Sequence, residues 1–302
     1  MAKRTKVDPA AEPTLFDLRQ PEHGPSEQQR QEIPGITLGT SSFTAKGWEG
    51  VFYPRGMPTR DFLFHYAKRF RAVEIDSTFY GTPRKATVVN WKERTPSGFV
   101  FAVKVPQVIT HEKALAGCQP EFEEFLETMS LLGEKLGPVL FQFPKFDKWM
   151  LKSEDEFLMR MDSLLQGVRN PGIRFAVEIR NKNWVDARLT AFLRERNVAL
   201  ALTDTTFMPR PWEMKDSPDL VTADFAYVRW LGDRKGIEEV TTTWEKTIVD
   251  RTPEMKKWVE LSRSLIQARK LRHIFLFANN HYAGFAPATV ELFERLWEET
   301  TR

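Results

Sequence analysis

The stretch Ala72-Val73-Glu74-Ile75-Asp76-Ser77-Thr78 carries the decisive pattern. Successive side chains of a strand point to opposite faces, so Val73 and Ile75 face one way and Glu74, Asp76 and Thr78 the other. Residues 99–104 repeat the arrangement, with Phe and Val outside and Lys104 inside, and residues 173–180 repeat it with Glu178 and Arg180. A buried charge is costly unless it is paired or used. Such charges at the ends of several strands point to a site at one mouth of a closed barrel.

Working outward, strand and helix patterns alternate from Gly35 onward. Strands are expected near 36–40, 72–78, 99–105, 138–143, 173–179, 198–203, 224–230 and 273–279. Each is short, β-branched or aromatic, and bounded by Gly, Pro or Asn. Helices are expected over 59–70 (Thr59 as cap), 84–94, 120–135, 154–167, 186–196, 252–269 and 287–299. Residues 208–218 read as a proline-interrupted loop with about a turn of helix in place of a sixth helix. This count, order and length match a single (β/α)8 TIM-barrel-like domain over residues 33–302. An open doubly wound sheet would place Gly-x-Gly-x-x-Gly after the first strand and gather its polar residues at one switch point; neither holds. The segment 167–172 is a connection, so no second domain is expected.

Barrel active sites gather at the C-terminal strand ends. Those ends supply Glu74, Asp76 and Tyr80; Lys104 and His111; Gln142; Glu178 and Arg180; Asp204; Arg229; and Asn279, Asn280 and His281. Glu74 and Asp76 share a face, so one carboxyl should hold its proton unless a cation intervenes, and Lys104 on the next strand is the natural partner. The group reads either as an ion-pair network closing the barrel or as acid–base machinery. Arg180 and Arg229 suit an anion held by paired hydrogen bonds, or the neighbouring acids Glu178 and Asp204. His65 and His273 read as structural. A divalent metal could be assembled only from His111, His281, Glu178 and Asp204, without His-Glu-x-x-His spacing, and no cofactor is expected. Trp48, Tyr53, Tyr80, Trp184, Trp230 and Tyr282 fall near the same loops, either as walls for a ligand face or as rim packing; Trp91, Trp258 and Trp297 read as core.

The 302 residues carry a net charge of +3, and their single cysteine, Cys118, excludes an intrachain disulfide. No apolar run approaches the roughly 20 residues of a membrane span, and no signal-peptide pattern opens the chain, so a cytoplasmic protein is expected. Residues 1–32 read as a disordered tail. Within them Leu15 and Phe16, in the string EPTLFDL, loosely resemble the Gln-x-x-Leu-Phe peptides that dock on bacterial sliding clamps, with Glu12 in place of the glutamine.

Eight blocks in order, GTSSFTAKGWEGVFYP (39–54), VEIDSTFYGTP (73–83), FVFAVKVPQVITH (99–111), LGPVLFQFP (136–144), FAVEIRNKNW (175–184), ALTDT (201–205), AYVRWLG (226–232) and FANNHYAGFAP (277–287), resemble the YecE-like family, domain of unknown function 72. The resemblance implies a TIM-barrel-like fold and a residue set, not a reaction: Glu74, Ser77, Thr78, Phe79, Tyr80, Lys104, Gln142, Glu178, Arg180, Asp204, Arg229, Asn279 and Asn280. Many relatives carry Asn at the position of Asp76, which ranks Glu74 and Glu178 above Asp76, and the first loop departs from the common Gly-Trp form. The reading is an enzyme without a redox cofactor, a hydrolase, isomerase or lyase acting on a small anionic or sugar-like substrate. Glu74, Lys104, Glu178 and Asp204 are its catalytic candidates, and the other strand-end residues bind substrate. The rivals are a nucleic-acid-associated protein gripping a phosphate backbone and a non-catalytic metabolite-binding barrel.

Overall fold

Eight parallel strands close into a barrel in sequence order: β1 Ile36–Ser41, β2 Ala72–Ile75, β3 Val100–Lys104, β4 Leu136–Gln142, β5 Phe175–Glu178, β6 Ala199–Thr205, β7 Phe225–Gly232 and β8 His273–Ala278. β8 returns to β1 through the register Ile36↔Ile274 to Thr40↔Ala278. The computed structural model describes residues 32–170, 172–214, 219–268 and 271–300. Residues 1–31 of the tail expected over 1–32, and with them the docking island at Leu15 and Phe16, lie outside the described residues.

Around the barrel run α1 Phe62–Tyr66, α2 Lys85–Glu93, α3 Gln119–Met129, α4 Glu154–Gln166, α5 Ala187–Glu195, α6 Arg234–Glu238, α7 Thr252–Gln267, α8 Asn280–Ala283 and α9 Ala286–Glu299. Most follow the expected ranges. Between β6 and β7 the described residues hold one 3-10 turn, Pro211–Glu213, as the proline spacing implies. Thr59 is not the cap expected for the first helix: it opens a 3-10 turn whose preceding Pro58 offers no capping side chain. α4 is capped as its sequence suggests, Ser153 accepting the Glu156 N–H.

Two apolar shells follow from strand alternation. Inside, alanines at positions 72, 102, 176, 199 and 201 leave room for Tyr227, Phe275 and Phe277 from β7 and β8, with Leu140 from β4. Outside, Val73, Ile75, Phe101, Val103, Phe141, Val177, Leu200 and Leu202 meet the helices. The inner side chains fill the lower barrel, so the charged residues above them have a closed floor and open only at the C-terminal mouth. Gly39 on β1 permits the closure: a Cβ there would lie 2.1 Å from the Ala72 carbonyl oxygen. Trp48, Tyr53, Trp230 and Tyr282 are buried in the outer shell, so of the aromatics near the loops these serve as packing, and Trp258 is buried there too, as expected of a core residue.

The strand expected over 72–78 ends at Ile75, and Asp76–Tyr80 turns as a 3-10 helix. The Thr78 hydroxyl makes the turn. It lies 2.8 Å from the Ile75 carbonyl oxygen and 2.7 Å from that of Lys104, and accepts the Lys104 N–H at 3.0 Å. A side chain thus takes over the ladder between β2 and β3 and folds Asp76 back over the mouth.

Candidate active site at the barrel mouth

Glu74 on β2, Glu178 on β5 and Arg229 on β7 are inward-facing and almost fully buried. Their partners are one another. Arg229 donates from Nε to Glu74 Oε2 at 2.8 Å and from Nη2 to Glu74 Oε1 at 2.7 Å, a two-pronged pairing. Its Nη1 donates to Glu178 Oε2 at 2.6 Å. The Tyr227 hydroxyl, two residues before Arg229 and so on the same face, donates to Glu74 Oε2 at 2.6 Å. Burial opposes ionisation of Glu74 and Glu178, yet the Arg229 guanidinium holds both below the usual carboxylate range. Burial also opposes the Arg229 charge, but Glu74 and Glu178 raise its affinity for the proton well above normal. These three groups stay ionised and are tied to one another.

Asp76 is placed differently. Its Oδ1 lies 3.4 Å from the Arg229 nitrogen already given to Glu74. Burial and the Glu74 charge outweigh Arg229 and Lys104, and push its carboxyl up to about 7. Near neutrality the Asp76 carboxyl is therefore divided between its protonated and ionised forms, and its side chain is open to the mouth.

Lys104 is the second group left over. Its side chain enters from β3 and lies 3.9 Å over the Phe79 ring, a cation–π contact. Among the described residues no carboxylate oxygen lies within 4.0 Å of its ammonium. Burial and the Arg229 charge hold it below the usual lysine range, against the pull of Asp76, Glu178 and Glu74. His111, on a π-helical turn Val108–Glu112 after β3, packs edge-on against Phe79 at 4.9 Å. Burial, Lys104 and Arg180 together press its imidazole down to about 4, so it is neutral and its Nδ1 faces the Thr110 hydroxyl at 2.8 Å. Arg180 closes this side, donating from Nε to Glu178 Oε1 at 3.2 Å with its guanidinium 5.0 Å over Phe207. At the mouth of β1, Ser42 holds φ at 107°, a positive φ that non-glycine residues uncommonly adopt.

The remaining strand-end residues divide. Gln142 faces inward beside Glu178 in register and donates to the Phe143 carbonyl at 2.5 Å. Tyr80 is 78% exposed at the rim. Asp204 does not join the mouth: it has the parity of Leu200 and Leu202 and faces the helix layer. There its carboxylate accepts Trp258 Nε1 at 2.9 Å, the Tyr282 hydroxyl at 3.0 Å and Arg210 Nε at 2.7 Å. Asn279 caps α8 by accepting the His281 N–H at 3.0 Å. Asn280 Oδ1 accepts Trp48 Nε1 at 3.3 Å and the Ala286 N–H at 3.0 Å, while His281 Nε2 meets Glu238 at 3.0 Å. All three hold the loop after β8 rather than joining the charged cluster. The four residues weighed as a metal set therefore do not converge. Among the described residues no group of three or more His, Cys, Asp or Glu side chains is placed to hold a metal ion.

A family model described as protein of unknown function DUF72 matches residues 37–302. The chain belongs to this family. Of curated DUF72 relatives, UPF0759 protein YecE of Escherichia coli K12 is 38% identical over 82 residues, 27% of this chain and 30% of that protein. UPF0759 protein YunF of Bacillus subtilis is 31% identical over 147 residues, 46% of this chain and 50% of that one. The matches thus span half or less of these relatives. A DUF72 protein of Thermotoga maritima superposes with a TM-score of 0.68 at 26% identity, covering 87% of this chain and 99% of its own. One from Enterococcus faecalis gives 0.67 at 21% identity, covering 89% and 99%. These confirm the barrel expected for a DUF72 chain. No helix among the described residues is long and apolar enough to cross a membrane.

Asp204→Ala gives the first test of this division. It leaves the buried Trp258 N–H and Tyr282 O–H without an acceptor and should cost about 3 kcal/mol of unfolding free energy in a urea titration. The reactivity of Lys104 should not change.

Proposed function

We propose that this chain is an enzyme that moves a proton on a small anionic substrate, with Asp76 as the proton carrier and Lys104 as the cation facing developing negative charge. The observation that carries this reading is the Lys104 ammonium set over Phe79 with no carboxylate oxygen within 4.0 Å among the described residues, in the same field as the Asp76 carboxyl, which burial and the Glu74 charge push up to about 7. Glu74 and Glu178 are poor bases in this reading, because Arg229 holds their charge. They set the field instead. With Asp76 protonated, Arg229, Arg180 and Lys104 outnumber Glu74 and Glu178 by one charge, which favours an anion at the mouth. A proton carrier near pH 7 matches both the supply and the removal of protons. A fixed ammonium in a partly dry pocket stabilises an oxyanion more than water would. Isomerase and lyase chemistry next to a carbonyl or carboxylate uses these two parts alone.

Lys104 gives the direct test. Acetylation of the intact protein by acetic anhydride, read at Lys104 by peptide mass spectrometry across pH, should show a midpoint below the 10.5 of an ordinary lysine. Asp76→Asn should lower it further, since the carboxylate is one of the groups holding the ammonium charged. A Lys104 that labels with the midpoint of an ordinary lysine contradicts the proposal.

A further inference from the structure

Beside the mouth lies a recess of about 500 Å³. It is lined by Lys145 from the loop after β4, by Arg180, Lys182, Asn183 and Trp184 from the loop after β5, and by Phe207 from the loop after β6. We infer that this recess is a subsite for a phosphoryl group carried by the substrate, whose reacting end reaches Asp76 and Lys104. The inference rests on the anionic-substrate reading above and names the anion.

Charge is the first argument. The lining contains three cations and no carboxylate. Arg180 spends its Nε on Glu178 and also lines the recess. Among the described residues neither Lys145 nor Lys182 has a carboxylate within 4.0 Å. A cluster holding two uncompensated lysines and a half-used arginine suits a dianion better than a single carboxylate. Lysine serves phosphate as a point charge and arginine as a fork. The neighbouring recess, on the far side of Phe207, makes the contrast. It also carries Arg234 and Lys235, but Asp233, Glu238 and Glu239 line it too, and Arg234 is paired to Glu238 at 2.9 Å. Its carboxylates outnumber its cations; the first recess has cations and no carboxylate.

Rigidity is the second argument. Asn181 accepts the Phe146 N–H at 2.8 Å and donates to the Phe146 carbonyl at 2.9 Å. This pair of hydrogen bonds ties the loop carrying Lys145 to the loop carrying Lys182. Trp184 stacks on Phe146 at 5.8 Å and fixes the same junction from the apolar side. The cations are therefore presented on a braced wall, which lowers the ordering cost of binding. Arg180 belongs to both places: it lines the recess and bonds Glu178 of the mouth. The other arginine expected to grip an anion, Arg229, is consumed by Glu74 and Glu178. Trp184 and Phe207 (51% exposed) give the recess apolar walls for a carbon skeleton next to the phosphoryl group.

The test uses the full chain and two probes, inorganic phosphate and phenyl phosphate, titrated by 31P NMR. Both should bind saturably, phenyl phosphate more tightly. The double variant Lys145→Ala, Lys182→Ala should weaken both by about tenfold or more, whereas Lys235→Ala across Phe207 should change neither. Saturable binding lost only in the double variant supports the subsite. No saturable binding, or equal losses in the double variant and in Lys235→Ala, overturns it. Lys104 acetylation measured on the same samples separates the two readings. A depressed midpoint with no phosphate binding removes the subsite alone. An ordinary midpoint with lysine-dependent phosphate binding keeps the subsite as an anion site and removes the proton-transfer reading.

Discussion

Arg229→Met is expected to destabilise the barrel by about 3–5 kcal/mol, measured as unfolding free energy in guanidinium chloride at pH 7.5. The reason is what the substitution leaves behind. Glu74 and Glu178 stay buried and lose their shared cation, and a buried charge stripped of its partner is far costlier than the pair was worth. Arg229→Lys should recover only part of the loss, because an ammonium cannot serve two oxygens of Glu74 and one of Glu178 with the same planar fork. The triple variant Glu74→Gln, Glu178→Gln, Arg229→Met should be more stable than Arg229→Met alone. A loss below about 1 kcal/mol for Arg229→Met would mean that the three groups are hydrated rather than locked together.

Asp76→Asn is expected to slow substrate proton exchange by about 10²–10⁴-fold while leaving the fold intact. The measurement is loss of C–H signal in 1H NMR when wild type and variant are incubated in deuterium oxide with small phosphorylated and unphosphorylated hydroxy and oxo acids. The same variant has a signature in stability that needs no substrate. Asp76 holds its proton more tightly folded than unfolded. Between the ordinary 3.8 and about 7 the folded chain therefore carries a proton that the unfolded chain has released. Stability falls as pH rises through that window, and Asp76→Asn should remove this slope. Glu74 and Glu178 act in the opposite sense. Their depressed folded affinities contribute stability that is present above the ordinary 4.5 and lost as pH falls through the folded values, and the variant should keep that acid limb.

The sequence made the barrel readable because its strands are short, regularly spaced and each ends in polar residues of one parity. Glu74, Lys104, Glu178 and Arg229 were legible for the same reason, since a charge two residues beyond an inward side chain of the same strand has few other places to go. The family resemblance ranked Glu74 and Glu178 above Asp76, but the residues alone do not tell which carboxyl is locked and which is free to titrate. Glu74 and Asp76 look equivalent along the chain, and only the turn made by Thr78 and the direction of the Arg229 fork separate a locked carboxylate from a titrating one. Asp204 was misplaced for a related reason. In Ala199–Thr205 both faces are apolar up to the last residues, as in any strand buried on both sides, so parity alone cannot say which face is inward. Tyr227 could have been found, being two residues before Arg229 on the same face. Lys145, Lys182 and Phe207 could not: they come from three loops, and nothing in their spacing announces that Asn181 draws two of those loops together.

The most direct test of the account is the titration of the mouth carboxyls by 13C NMR, with Asp and Glu carboxyl carbons labelled and Asp76, Glu74 and Glu178 assigned by difference against Asp76→Asn, Glu74→Gln and Glu178→Gln. The account requires one aspartate resonance with a midpoint near 7, and two glutamate resonances that remain ionised down to values below the ordinary 4.5. An Asp76 resonance that titrates near the ordinary 3.8, or glutamates that titrate at 4.5, would show independent hydrated carboxylates and contradict a single charged pocket built around Arg229.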